Sequence, residues 1–391
     1  MKNKERKAAR RYDTANRCSA FTKRVYSGFA EDKEKLKAEI FASEKEFYPK
    51  KVRYNIYFGE LHGHSNMSDG RPSPYEYFKN IRDNAGLDFA ALTDHDHGGI
   101  GHNELFGEKW EEIKAVVKSF NEPGRFTTIL GYERDSYPWY NNLAVYYDSY
   151  DGELLRGSND GEITKQELLH ALNRDDLLLV PHDTYSLEAG ADFNAIEPEL
   201  FTGMIEIYSR GDSAEYFGNP QNTSSLQCEG GFWQDALKRG AKMGCIAASD
   251  DHDRENGLVS DRFTGIARYP GITGVLAEEN TLSSIFSALK ARRCYGFTGG
   301  RMWIDFRING HYMGEEFADS GERSIYFNVK ADSELERVTL VKNCRDYMII
   351  KRNEQLIYDY RAEKPTDIYY LRVELKDGRI GWTSPIWINH E

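Results

Sequence analysis

The sequence predicts a mixed α/β protein in which a region of alternating strands and helices precedes an antiparallel β-sandwich. Between Tyr54 and about Thr298, short and almost continuously apolar runs alternate with amphipathic stretches. This alternation is typical of strands that are buried on both faces and connected by helices. After Thr298, strand patterns follow one another without a helix pattern between them, as expected for a sandwich. Side chains that bind metals recur where the strands of the first region end.

Length, charge and cysteine content limit the classes of protein to consider. The chain has 391 residues, which suggests two or three domains. Its 51 Lys and Arg residues against 63 Asp and Glu residues give a net charge of −12, which disfavours nucleic acid and anionic membranes as partners. No apolar stretch approaches the ~18 residues of a membrane span, and no signal-peptide pattern is visible. The 5 cysteines are scattered, so we expect a reduced, cytoplasmic setting.

Two different patterns divide the part of the chain before residue 300. Residues 1–50 are rich in Lys, Arg and Glu, and the spacing of Leu36, Ile40 and Phe41 predicts a charged helical leader that packs on the rest. From Tyr54 onward, apolar runs predict seven strands. These strands cover residues 54–61, 88–93, 126–131, 143–147, 177–181, 203–208 and 243–248.

Helix patterns lie between most of these strands or after the last one. They cover residues 73–84, 108–120, 164–173, 231–239 and 281–292. In the third pattern, Thr164 and Glu167 have the spacing of a capping box, which stabilises a helix N-terminus. In the last pattern, apolar residues recur at the i, i+3, i+4 and i+7 positions from Leu282, as on one face of a helix. Seven strands that alternate with helices predict a barrel or a strongly curved sheet for residues 51–299.

The C-terminal region, residues 300–391, has the pattern of an appended antiparallel β-sandwich. Its strand patterns cover residues 302–308, 323–330, 335–342, 346–351, 355–360, 367–375 and 380–388. Several of the intervening turns contain Gly, Asn or Asp, which favour tight turns. This region could act as a lid, a dimerisation surface or a substrate-recognition module.

Residue types that bind metals follow most of the predicted strands of the first region. They are His62, His64 and Asp69 after the first strand, Asp94-His95-Asp96-His97 after the second, Glu133 after the third, His182 after the fifth, and Asp250-Asp251-His252 after the seventh. In a β/α barrel the C-terminal ends of the strands share one face, where active sites are built. The sequence therefore predicts that these side chains meet.

The spacing of these residues favours a site with more than one metal ion. Side chains alternate along an extended strand, so His62 and His64 point to the same side, as do Asp250 and His252. An isolated H-x-H is more often a structural or surface feature, and the joint placement of the motifs is what favours metal binding. Imidazole and carboxylate ligands together suit Zn, Mn or Fe, and their number exceeds the four ligands of one tetrahedral zinc ion.

The same segments resemble a known family. In chain order, HGHSNMSDG, LTDHD, GYE, VPHD and ASDDHD are similar to the successive motifs of the PHP (polymerase and histidinol phosphatase) superfamily, over about residues 54–300. The segment YLRVELKDGRIGWTSPIW is similar to the β-sandwich of a largely uncharacterised PHP branch. The resemblance implies a distorted seven-stranded (β/α) PHP-type barrel, a trinuclear metal cluster and hydrolysis of phosphate esters.

The resemblance also implies a set of ligands for each ion. The first ion would take His62, His64, Glu133 and Asp250, the second Asp69, His95 and His252, and the third Glu133, His182 and a residue near the start of strand four. At that last position the family has a histidine and this sequence has Asn142. Because an amide is a weaker metal ligand than imidazole, we expect two or three divalent ions.

Three further residues are predicted to act in catalysis. Asp94 could orient an imidazole or cap the following loop. Glu206 interrupts an apolar strand and is expected to face the polar site or an arginine, because a buried carboxylate needs a partner. Arg210 is a candidate for phosphate binding or, alternatively, for a surface salt bridge. Other arginines near strand ends could bind phosphate or form surface salt bridges, and they are Arg71, Arg134 and Arg254.

These observations predict a cytoplasmic, metal-dependent hydrolase that acts on a small phosphate ester. The sequence has no G-x-S-x-G elbow or P-loop, so water is the expected nucleophile. One alternative is that the same metals hydrolyse a carbamate or a carboxylic ester. Another is a non-catalytic module with structural metals, in which the sandwich binds a partner or a glycan. The expected partner is a small molecule and not nucleic acid or a membrane, and a homo-oligomer is allowed.

Overall fold

The computed structural model describes residues 53–96, 105, 107–135, 139–140, 142–155, 163–187, 190–209, 211–253 and 269–390. The predicted leader, residues 1–50, lies outside them. Each helix in the described part of the chain is too short or too polar to span a lipid bilayer.

The described strands are numbered in chain order. Those of the first region are β1 (Asn55–Glu60), β2 (Phe89–Leu92), β3 (Thr127–Asp135), β4 (Asn142–Tyr147), β5 (Leu177–Pro181), β6 (Met204–Ser209), β7 (Asp212–Ser213), β8 (Gly244–Ala247), β9 (Gly271–Ala277) and β10 (Cys294–Thr298). Those of the C-terminal region are β11 (Met302–Ile308), β12 (His311–Tyr312), β13 (Glu316–Ala318), β14 (Arg323–Ala331), β15 (Leu335–Lys342), β16 (Arg345–Ile350), β17 (Glu354–Asp359), β18 (Thr366–Leu375), β19 (Ile380–Thr383) and β20 (Ile386–Asn389).

Each predicted helix pattern contains a helix. The helices are α1 (Pro74–Lys79), which continues as a π-helix (Asn80–Ala85), α2 (Glu108–Phe120), α3 (Lys165–Leu172), α4 (Trp233–Lys238) and α5 (Leu282–Lys290), and a 3-10 turn covers Pro198–Leu200. The capping box at the start of α3 is confirmed, because the Thr164 side chain accepts a hydrogen bond from the Glu167 backbone N–H, and the Glu167 side chain bonds back to Thr164.

The seven predicted strands of the first region are all present, but they are not all parallel. Strands β1 and β2, β2 and β3, and β6 and β8 pair in parallel. Strand β4 is antiparallel to both of its neighbours, β3 and β5. The reason is the connection: β3 ends at Asp135 and β4 begins at Asn142, and a parallel crossover needs about a dozen residues or more. The prediction of parallel β/α units is therefore wrong for β4.

Two strands that the sequence patterns missed extend this sheet. Strands β9 and β10 are antiparallel to each other, and β9 is antiparallel to β1. The described pairs place β5-β4-β3-β2-β1-β9-β10 in one sheet and β7-β6-β8 in another. They show a mixed α/β architecture, and the hydrogen bonds among the described residues do not close a ring of seven strands.

The C-terminal region forms two sheet layers. One layer has the order β12-β11-β14-β17, and the other contains β13, β20, β18 and β19 together with β15 and β16. The layers are in contact, since the Tyr369 hydroxyl of β18 donates to Asp359 of β17 over 2.7 Å. The predicted strand 380–388 is two strands, because Pro385 lies between them and proline cannot donate to a sheet ladder. Strand β19 also pairs with β10, so the first and last regions share a sheet.

A buried ion network joins the two layers. The Lys342 ammonium lies 2.8 Å from a carboxylate oxygen of Asp359 and 3.9 Å from one of Asp367, and all three side chains are at most 2% exposed. Arg323 lies 3.4 Å from Asp367. Removal of one partner would leave the others as uncompensated buried charges, which is more costly than loss of the whole network.

We expect Lys342→Met to lower the free energy of unfolding by about 3–5 kcal/mol, because Asp359 and Asp367 would stay buried without their ammonium partner. Urea denaturation followed by tryptophan fluorescence measures the change. The matched control is Lys351→Met, at an exposed position of the same region, which should change the value by less than about 0.5 kcal/mol. Equal effects of the two substitutions would contradict this role of Lys342.

Candidate metal centre

On β3, β4 and β6, side chains of the candidate site continue one apolar face of the strands. This face carries a buried cluster that includes Ile129 of β3 and Ala144 of β4. Because side chains alternate between the faces of a strand, Glu133 shares the face of Ile129, and Asn142 shares the face of Ala144. The same two-residue period relates Met204 to Glu206 within β6. His95, His182 and Asp250 lie in the segments that follow β2, β5 and β8. The polar residues thus gather at one end of this apolar face.

The Glu133 carboxylate lies among four imidazoles. Its Oε2 atom is 3.2 Å from His62 Nε2, 3.3 Å from His64 Nε2 and 3.2 Å from His95 Nδ1. Its Oε1 atom is 2.5 Å from His182 Nε2. The Glu133 side chain is 1% exposed. The residue that the resemblance implies as a bridge therefore lies between the other predicted ligands.

Asp250 completes a first group of four donors with Glu133. One oxygen of Asp250 lies 2.9 Å from His64 Nε2 and 3.5 Å from His62 Nε2. One ligand atom from each of His62, His64, Glu133 and Asp250 lies within 4.8 Å of the others. Donors that bind one zinc-sized ion at about 2.1 Å are roughly 3–3.5 Å apart. The contacts of this group match that spacing.

A second group of four donors consists of Asp69 and three histidines. The Oδ1 atom of Asp69 lies 3.1 Å from His252 Nε2, 3.7 Å from His95 Nε2 and 3.9 Å from His64 Nδ1. These four residues also offer ligand atoms within 4.8 Å of one another. His64 belongs to both groups, so the two groups adjoin.

The third predicted set is less complete. The Asn142 side-chain nitrogen lies 3.3 Å from His182 Nε2, so this amide does reach the cluster. Its oxygen and nitrogen are interchangeable by a flip of the amide. One ligand atom each of His62, His182 and Glu206 also lies within 4.8 Å of the others. Asn142 is the weakest donor of the predicted ligands.

The charges of the cluster act strongly on one another. Burial alone would raise the pKa of Glu133, but the neighbouring imidazoles hold it well below its usual range. Burial alone would lower the pKa of His95, but the charges of Glu133 and Asp135 raise it to about 10. In the same way, Glu133 and Asp183 raise the pKa of His182 to about 9. Positive charge is therefore favoured on His95 and His182, whereas burial and the neighbouring imidazoles of His252 and His95 lower the pKa of His64.

The residues present fit divalent metal ions. Imidazole nitrogens and carboxylate oxygens suit Zn, Mn or Fe. Two polar atoms of the cluster, His182 Nδ1 and Glu206 Oε1, are buried without a hydrogen-bond partner among the described residues. Buried polar atoms are rarely left without partners, and a cation or a water is one explanation. The described part of the chain therefore contains a buried cluster that is compatible with a metal site.

Glu206 contacts the site, as the sequence predicts. Its Oε2 atom lies 2.8 Å from His62 Nδ1, and both side chains are fully buried. This contact leaves the Nε2 atom of His62 to face Glu133 and Asp250. A carboxylate on the outer nitrogen orients a metal-binding imidazole and makes it more basic.

Asp94 has the contacts of a residue that caps a loop. Its Oδ1 atom accepts hydrogen bonds from the Ser65 and Ser68 backbone N–H groups over 2.7 and 3.2 Å, and the Ser65 hydroxyl donates to Oδ2 over 2.5 Å. The Ser68 hydroxyl also donates to Oδ1 over 2.6 Å. These serines lie between His64 and Asp69. Asp94 therefore holds the loop that carries these two ligands, and a direct catalytic role for it stays a prediction.

The candidate arginines have different positions. Arg210, Arg254 and also His97 lie outside the described residues. Arg71 is 68% exposed and pairs with Asp253 over 3.0 Å. Arg134 is buried and pairs with Asp96 over 2.8 Å. Arg71 thus forms the predicted surface salt bridge, whereas the ion pair of Arg134 is buried.

Sequence reasoning missed two acidic residues near the site. Asp135 has both carboxylate oxygens 3.3 Å from His95 Nδ1, and its signal was the Glu-x-Asp spacing, which places it on the same strand face as Glu133. Glu60 ends β1 and accepts hydrogen bonds from Ser249, and burial raises its pKa to about 8. No motif marked Glu60 in advance.

Comparisons with known proteins give several matches. Residues 233–327 match the family described as "Protein of unknown function (DUF3604)". An uncharacterised protein of Chlamydia pneumoniae is 26% identical over 364 residues, which cover 86% of this chain and 57% of that protein. A protein of Chlamydia trachomatis, also uncharacterised, is 25% identical over 377 residues, which cover 86% of this chain and 58% of that protein. The chain thus spans less than two thirds of the length of these relatives.

Comparison with solved structures also finds a match over much of this chain. It is the crystal structure of a two-domain protein from Bacteroides vulgatus that contains a predicted PHP-like metal-dependent phosphoesterase. The likeness has a TM-score of 0.48 and 14% sequence identity, and it covers 86% of this chain and 97% of that chain.

We expect Asp94→Asn to lower the free energy of unfolding by about 2 kcal/mol, because an amide replaces one of the oxygens that accept hydrogen bonds from Ser65 and Ser68. Urea denaturation measures this change, with Asp151→Asn, at an exposed position, as the control. Unchanged stability of Asp94→Asn would contradict this role of Asp94.

Proposed function

We propose that this chain is a metal-dependent hydrolase of the PHP type that acts on a small phosphate ester. The observation that carries the proposal is the position of Glu133 between imidazoles of two adjoining donor groups, which share His64. An isolated histidine pair would not support it. The proposal is supported by two groups of four N and O donors that lie at one end of the sheets.

The order of the sequence motifs supports the same proposal. Each of the five segments that resemble PHP motifs contributes at least one side chain to the cluster. In the proposal, a first ion takes His62, His64, Glu133 and Asp250. A second takes Asp69, His95 and His252, and a third takes Glu133, His182 and Asn142. Because Asn142 is a weak donor, we propose two firmly bound ions of Zn, Mn or Fe and a third that binds less tightly.

Bound ions would supply an activated water and positive charge for the displacement at phosphorus. The residues of the chain have separate tasks. The three carboxylates Asp69, Glu133 and Asp250 would repel an anionic substrate unless cations neutralise them. Glu206 holds the His62 ring in place through Nδ1. Asp94 holds the loop that carries His64 and Asp69.

A second candidate function is hydrolysis of a carbamate or carboxylic ester at the same site. The observation that favours it is the pairing of the two described candidate arginines, Arg71 with Asp253 and Arg134 with Asp96. A less charged substrate would not need an arginine cradle. The net charge of −12 supports a small-molecule substrate over nucleic acid, and a cytoplasmic location is part of the proposal.

The test measures metal content and hydrolysis on the full chain. Protein loaded separately with Zn, Mn and Fe is analysed for bound metal and assayed with p-nitrophenyl phosphate and p-nitrophenyl acetate. We expect two or three ions per chain and faster turnover of the phosphate ester. His62→Ala should lose at least one ion and at least about 100-fold in rate, since several kcal/mol of stabilisation depend on the metal. His311→Ala, in the C-terminal region, is the matched control and should retain the wild-type metal content and rate.

Other outcomes would change the assignment. Faster turnover of the acetate ester by the same metal-loaded protein would favour the second candidate function. Bound metal without turnover of either ester would favour a binding module with structural metals. A chain that binds none of the three metals would contradict all metal-dependent functions.

A further inference from the structure

Asp135 lies at the edge of the metal centre and belongs to none of its predicted ligand sets. It is the last residue of β3, two positions after Glu133. Its side chain is 21% exposed, and each of its two oxygens lies 3.3 Å from His95 Nδ1. It therefore contacts the outer nitrogen of an imidazole whose other nitrogen, Nε2, faces Asp69.

Two carboxylates compete for the same nitrogen of His95. Glu133 Oε2 lies 3.2 Å from His95 Nδ1, but the same oxygen also contacts His62 and His64, the imidazoles of the first group. An oxygen that binds an ion of the first group is a poorer acceptor for His95. Asp135, at 3.3 Å, is then an acceptor within reach of the N–H group at Nδ1.

The backbone around Asp135 is held by a buried ion pair. The Asp96 carboxylate pairs with Arg134 over 2.8 Å, and these side chains are 1% and 4% exposed. The other oxygen of Asp96 accepts a hydrogen bond from the Asp135 backbone N–H over 3.3 Å. The Asp96 N–H donates in turn to the Glu133 carbonyl over 2.9 Å. These contacts fix the end of β3 against the segment that carries His95.

We propose that Asp135 is a positioning residue that accepts a hydrogen bond from His95 Nδ1 and so presents His95 Nε2 to a divalent ion shared with Asp69 and His252. The inference rests on the proposed function, because it needs an ion in the second group. A hydrogen bond to one imidazole nitrogen fixes the tautomer and leaves the lone pair on the other. Asp135 would act on the second ion through His95, and it belongs to neither group of four donors.

The effect of Asp135 should therefore be selective. Loss of a partner of this type typically lowers metal affinity by about 10–100-fold. We expect that loss for the second ion alone. The first ion, with His62, His64, Glu133 and Asp250, should keep its affinity.

The experiment uses Co²⁺ as the probe on the metal-free full chain. Stepwise binding is followed by the visible absorption of the bound Co²⁺ and by competition with a chelator. The variants are Asp135→Asn, Asp135→Glu and Asp135→Ser, and the matched control is Asp175→Asn, at an exposed position outside the cluster. Thermal melting confirms that each variant is folded.

We expect the wild-type chain to bind at least two Co²⁺ ions. Asp135→Asn should bind the first with an unchanged spectrum and affinity and the second about 10–100-fold more weakly. Asp135→Glu should recover part of the loss, because it restores a carboxylate acceptor. If Asp135→Asn does not fold, the test compares the other two variants. Asp135→Ser should then bind the second ion more weakly than Asp135→Glu.

Three results would overturn the proposal. Unchanged affinity for both ions in Asp135→Asn would show that His95 needs no such acceptor. A changed spectrum of the first ion would show that Asp135 acts on that ion directly. A wild-type chain that binds no Co²⁺ would remove the proposed function along with this inference, whereas either of the first two results would leave the proposed function intact.

Discussion

The arrangement of the site depends on one carboxylate, that of Glu133. Moving a carboxylate from water into the interior costs several kcal/mol unless opposite charges and hydrogen bonds compensate. Glu133 is compensated by contacts with His62, His64, His95 and His182, and these imidazoles come from different parts of the chain. The strands must therefore meet in the observed way for Glu133 to be buried at all. The cluster that is compatible with a metal site and the stability of this end of the sheets therefore depend on the same contacts.

The element types of the fold were largely predictable, and the strand directions were not. Each of the seven predicted strands and five predicted helices of the first region is present, because apolar runs and helical spacing are local properties. The antiparallel direction of β4 depends on the length of its connection, which periodicity does not report. Strands β9 and β10 were missed because glycines weaken their strand patterns. Gly274 is needed there, since a Cβ atom would lie 2.3 Å from the Tyr295 ring.

The candidate site shows a similar division. The histidines and carboxylates at predicted strand ends do come together, because the strand period and the shared end of the sheets determine where they point. The sequence could not identify the side chains that hold the predicted ligands, or the loops that carry them, in position. Asp94 could orient an imidazole or hold a loop, and only its contacts with Ser65 and Ser68 distinguish the two. For Asp135 the only signal was the Glu-x-Asp spacing, and its relation to His95 depends on the register of β3 against the segment after β2.

The pairing of β19 with β10 has a consequence for the whole chain. An edge strand with unpaired N–H and C=O groups is a template for association with other chains. Strand β19 occupies the edge that β10 would otherwise present, and it comes from the far end of the sequence. The C-terminal region thus shields the first region from edge-to-edge aggregation, whatever else it binds. During synthesis on the ribosome, that edge stays open until Ile380–Thr383 have been added and can pair with β10.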